Sequence, residues 1–96
     1  SSAASDVYKR QFLLALTNLA RACTEAGLYS EAEQTFLLAF HYGSQKMTDY
    51  TSLADVYLHL EEPEKISALI RNVEDGSLPH KEALIQALEQ KLMAYR

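Results

Sequence analysis

Ninety-six residues, 48% apolar and 23% charged, bound one small domain whose core lies near the lower limit of self-sufficiency. A formal net charge of −4, with lysines and arginines scattered singly, opposes a phosphate-binding surface, so no nucleic-acid partner is expected. A single cysteine excludes an internal disulfide, no run approaches the ~18 apolar residues of a membrane span, and no signal-peptide pattern opens the sequence. The expected setting is therefore cytoplasmic, without membrane insertion.

Residues 1–6 are small and polar without periodicity, and are expected to be a frayed or expression-derived tail outside the domain of residues 7–96. A helix is predicted from about Asp6 or Val7, with Tyr8, Phe12, Leu13 and Leu16 starting an apolar stripe that continues through Leu19, Ala20 and Cys23. Gly27 supplies the backbone freedom that a helix C-cap favours. Ser30, with Glu33 three residues on, has the pattern of a capping box opening a second helix. Ala32, Phe36, Ala39 and Phe40 form the apolar face of that helix, which Gly43 ends.

A third helix is predicted over about 47–60, with Tyr50, Leu53, Ala54 and Tyr57 on one face. Pro63 suits the first position of a fourth helix, with Glu64 favoured by the helix dipole. Its apolar face is Ile66, Leu69, Ile70 and Val73, and Asp75–Gly76 stops it. Pro79 is expected to open a fifth helix, lined on one side by Leu84, Ile85, Leu88, Leu92 and Tyr95. No segment alternates with period two, so no strands are expected. The fold class is all-α with five helices.

A shift of 34 residues lays the first helical hairpin on the second. Leu16 then falls on Tyr50, Leu19 on Leu53, Ala20 on Ala54 and Cys23 on Tyr57, while Ala32 falls on Ile66, Phe36 on Ile70 and Ala39 on Val73. Two helices per 34 residues is the period of the tetratricopeptide repeat. The chain resembles that family over Leu13–Asp75: the first copy carries Leu16, Leu19, Ala20, Gly27, Ala32, Phe36 and Ala39 of its pattern, the second Tyr50, Leu53, Ala54 and Tyr57. The second copy departs at Glu61, where the family has glycine, and at Ile66, Ile70 and Val73. The resemblance implies a right-handed superhelix of antiparallel helix pairs, with repeat one over about 13–46, repeat two over about 47–78 and a capping helix over about 79–96.

In that family the first helices of successive repeats line a concave groove that receives a peptide or amphipathic helix. Carried over by position, the resemblance implies a groove of Leu14, Thr17, Asn18, Arg21, Thr24 and Glu25 from repeat one, and Thr48, Thr51, Ser52, Asp55, Leu58 and His59 from repeat two. The clamp by which heat-shock co-chaperones of this family hold a C-terminal carboxylate is missing, since Thr17, Arg21, Thr48 and Ser52 stand where its lysines and asparagine would. Catalysis has little support: His41, His59 and His80 are isolated, Glu61, Glu62 and Glu64 suit a helix start, and no phosphate loop or activated nucleophile is visible. No metal and no cofactor are expected. The implied role is a non-catalytic protein-interaction module, an adaptor or small chaperone. A type III secretion-type chaperone, a pentatricopeptide-like RNA binder, a piece of a longer solenoid and a self-associating subunit stand as alternatives.

Overall fold

The computed structural model describes residues 2–95, and among them every regular element is helical: α1 (Ser2–Glu25), α2 (Tyr29–His41), α3 (Met47–His59), α4 (Pro63–Asp75) and α5 (Lys81–Tyr95). The chain forms two compact units, Ser1–Ser44 and Gln45–Arg96.

In the first unit α1 and α2 pack as a helical hairpin. Leu16 and Ala20 of α1 are buried, as are Ala32, Phe36 and Ala39 of α2. Ala20 and Ala32 have no exposed surface, and side chains that small let two helix axes approach closely. In the second unit α3, α4 and α5 all pack against one another. Leu53, Ala54, Val56, Ile66, Val73, Leu84 and Leu88 are at most 1% exposed there, with Tyr50, Tyr57, Leu69 and Ile70 close behind.

Helix ends repeat as regularly as helix faces. After α1, Leu28 N–H donates to Cys23 C=O at 2.8 Å and Gly27 N–H to Thr24 C=O at 3.1 Å. After α3, Glu62 N–H donates to Tyr57 C=O at 2.9 Å and Glu61 N–H to Leu58 C=O at 3.1 Å. These are two Schellman caps offset by 34 residues, each satisfying carbonyls that a helix end leaves orphaned. The offset also relates α2 to α4 at both ends, and the starts of α3 and α5, Met47 and Lys81. Burial follows the same spacing through Leu16, Tyr50 and Leu84, and again through Ala20, Ala54 and Leu88. By boundary and burial, then, α5 opens a third copy of the first-helix pattern.

The two caps differ in one respect. Gly27 has φ +79° while Glu61 has φ +58°, the left-handed region in which a Cβ crowds the following carbonyl. A Cβ at Gly27 would meet nothing within 4 Å, so any penalty there is conformational. Glu61→Gly is expected to stabilise the chain by about 0.5–1 kcal/mol, and Gly27→Ala to destabilise it by about 1 kcal/mol. Opposite shifts of several degrees in Tm, followed by helical circular dichroism, check the pair.

Several expectations need correction. The helix starts at Ser2, so residues 2–6 continue α1 instead of forming a tail; Ser1 lies outside the described residues, as does Arg96 at the end of the expected last helix. Tyr8 and Phe12 are 71% and 44% exposed, and Leu19, expected in the core, is 53% exposed. The buried arc of α1 is centred on Leu16 and Ala20, and Leu19 lies to one side of it. Cys23 is half-buried with a free thiol. The second helix starts at Tyr29 with Leu28 as N-cap, so Ser30 sits inside the first turn and makes no capping box. The last helix starts at Lys81, because His80 takes φ +58° and cannot be helical. Of its expected stripe only Leu84 and Leu88 are fully buried; Ile85 and Leu92 are half-buried and Tyr95 is exposed.

Candidate surface for a partner

The residues assigned to a groove divide between the two units. On α1, Leu14, Asn18, Arg21 and Glu25 are exposed and recur at spacings of four, three and four, which places them on one face. Leu14, half of its surface in contact with water at 50% exposure, gives this face an apolar residue at one end, with one cation and one anion further along it. Thr17 is a correction to the expected set: at 5% exposure it belongs to the packed side of α1. Thr24 is half-buried, and its hydroxyl donates to Ala20 C=O at 2.8 Å, turning inward along its own helix. The first unit thus presents Leu14, Asn18, Arg21 and Glu25 outward.

On α3, Thr48, Asp55 and His59 are exposed, while Thr51, Ser52 and Leu58 are half-buried. The Thr51 hydroxyl donates to Thr48 C=O at 3.3 Å. Asp55 is held from within its own unit: Lys91 Nζ of α5 donates to Asp55 Oδ1 at 2.8 Å. Both side chains are substantially exposed, so the pair adds less than about 1 kcal/mol to stability. Its consequence is positional, because a ligand reaching Asp55 competes with Lys91. Sequence spacing holds no sign of this partner, which lies 36 residues away.

Other polar features have structural roles. Asp49 is 1% exposed in the first turn of α3, where the helix dipole favours a negative charge. Burial, and secondarily the Asp49 charge, push the neighbouring Tyr50 hydroxyl above its ordinary value of 10.0. Tyr50 therefore stays neutral across the physiological range. Lys81 Nζ donates to Glu74 C=O at 3.0 Å and Gly76 C=O at 3.1 Å, joining the start of α5 to the end of α4. Lys65 pairs with Glu62 at 3.3 Å and lies 5.7 Å from the Tyr57 ring centre.

Among the described residues, no three or more His, Cys, Asp and Glu side chains gather as a metal site would require. No helix of the described residues is long and apolar enough to cross a membrane. Two clefts on the surface of the second unit are open ones, one lined by Ser77, Leu78, His80, Lys81, Glu82 and Ala83 and one lined by Pro63, Glu64, Ser67, Leu92 and Tyr95. Compared with protein-family models, with curated proteins and with solved structures, the chain matches none.

Proposed function

We propose that the chain is a tetratricopeptide-like helical-repeat module that binds another protein without catalysis, as an adaptor or small chaperone. In this reading its helix pairs form a right-handed superhelix, and a partner peptide or amphipathic helix lies against the exposed faces of the first helices. The carrying observation is the 34-residue recurrence of caps, helix limits and buried positions, which extends into α5. Helical repeats of this period serve as scaffolds whose exposed faces hold extended partners. Leu14, Asn18, Arg21 and Glu25 supply an apolar anchor with polar neighbours on α1, and Thr48, Asp55 and His59 are the exposed counterparts on α3.

Affinity capture from the source lysate by the parent chain and by an Asn18→Ala/Arg21→Glu variant tests this reading. Both positions are exposed, so the variant keeps the parent's helicity and Tm. A protein retained by the parent and lost by the variant supports binding through α1. Equal capture by both contradicts it. Asp55 is unsuited to the test, because changing it also releases Lys91.

A further inference from the structure

Along α1 and onto Ala26, which follows it and donates its N–H to Ala22 C=O at 3.0 Å, Tyr8, Phe12, Ala15, Leu19, Ala22 and Ala26 recur at alternating steps of four and three, the spacing of a coiled-coil seam. All six are exposed, with Tyr8 at 71%, Phe12 at 44% and Leu19 at 53%. The stripe lies roughly 100° around the helix from the centre of the Leu14–Asn18–Arg21–Glu25 face, so the two surfaces adjoin, with Asn18 and Glu25 at their border, while the role of the stripe does not depend on partner binding there. At 3.6 residues per turn it also lies to one side of Leu16 and Ala20, which face the core. An apolar stripe of this length on a water-exposed helix marks an interaction surface.

We propose that this stripe joins two copies of the chain through antiparallel packing of α1 against α1. The sequence carries the complementarity such a pair needs. About a two-fold axis at the middle of the stripe, Tyr8 meets Ala26, Phe12 meets Ala22, and Ala15 meets Leu19 of the second copy, each with its reciprocal. Every layer sets a large side chain against a small one. A parallel pair would stack Tyr8, Phe12 and Leu19 each on itself and leave alanine facing alanine in the other three layers, with voids that cost dispersion contacts. At the flanks of the antiparallel pair Asn18 meets Asn18 and Gln11 meets Glu25, so no like charges oppose each other.

The extent is sufficient for a modest dimer. The steps from Tyr8 to Ala26, all but the last within α1, cover about 27 Å at about 1.5 Å per residue. Aromatic side chains carry roughly 150–250 Å² each, so Tyr8 and Phe12, at 71% and 44% exposure, offer about 200 Å² per copy. Leu19 and the three alanines bring the two copies together to somewhat under about 1,000 Å², the size of a weak, reversible interface. Tyr42 adds to this end of the surface, packing edge-on against Phe12 with ring centres 5.0 Å apart. Because the contact is isologous, it closes at two copies and does not propagate.

Sedimentation equilibrium of the full chain, from about 1 to 500 µM, tests the proposal, that range spanning the affinity of small reversible interfaces. The parent is expected to pass from monomer to dimer, and Leu19→Glu to remain monomeric with unchanged helicity. Leu19→Ala alone weakens association by about tenfold or more, and adding Ala15→Leu restores it, because the central layers are then rebuilt with the two sizes exchanged. Arg21→Glu, off the seam, leaves the dimer intact, which separates this interface from the proposed partner face. A parent that stays monomeric throughout, or a dimer that survives Leu19→Glu, overturns the proposal.

Discussion

Phe36→Ala lowers stability by about 3–5 kcal/mol, the range for removing a buried aromatic ring and leaving its cavity. Phe36 is 2% exposed and heads the fully buried side chains by volume. It lies on the face of α2 that also carries Ala32 and Ala39, and neither alanine can reach into the space its ring would vacate. Small domains have only about 5–15 kcal/mol of stability in total, so the variant loses a large fraction of it. At about 4–8 °C per kcal/mol for a domain of this size, thermal unfolding followed by helical circular dichroism shifts down by more than about 10 °C. A shift of only a few degrees would mean that α2 packs much more loosely than its burial indicates.

Leu88→Ala has a comparable effect in the other unit, about 2–5 kcal/mol. Leu88 has no exposed surface, and Leu84 one turn earlier is 1% exposed. These two residues form the buried side of α5, which packs against both α3 and α4. The Lys91–Asp55 pair contributes far less, being a substantially exposed ion pair. The variant therefore separates two views of α5. If the helix is integral to the unit, the urea midpoint falls sharply; if it is an appendage held by Lys91, Leu88→Ala costs under about 1 kcal/mol and Lys91→Ala costs more.

The helices α2, α3 and α4 are legible in the sequence because each carries an apolar stripe at three-and-four spacing. Ala32, Phe36 and Ala39, and Ile66, Ile70 and Val73, are all buried, while Leu37 and Leu38 of α2 lie off that stripe and are exposed. In α1 the pattern is ambiguous. Leu13, Leu16 and Ala20 form one apolar stripe, and Phe12, Ala15, Leu19 and Ala22 form another beside it. Periodicity sees both, while only packing decides which one is covered. Thr17 misleads for a related reason: its hydroxyl reads as polar in sequence, although threonine is small and its hydroxyl can bond along its own helix.

Helix starts are less legible than helix ends. The Schellman cap after α1 is announced by Gly27, but the equivalent at Glu61 has no glycine, and only the 34-residue shift points to it. Ser30 with Glu33 imitates a capping box because the spacing is right, although Tyr29 already belongs to the helix. Pro79 imitates a helix start in the same way, and the left-handed His80 defers it to Lys81. For the candidate surface, spacing alone groups Leu14, Asn18, Arg21 and Glu25 on one face of α1, and all four are exposed. It cannot supply the Lys91–Asp55 contact, which depends on how α5 meets α3.

The most direct test of partner binding is site-specific photo-crosslinking in the source lysate, with a photoreactive residue placed at position 21 of α1 or position 34 of α2. Arg21 and Gln34 are both exposed, so neither change disturbs packing and the two positions sample different faces. If the exposed face of the first helix holds the partner, position 21 yields a discrete crosslinked protein and position 34 yields none above background. Crosslinks from position 34 with none from position 21 would contradict binding through the first helices and assign the partner to the outer face of α2.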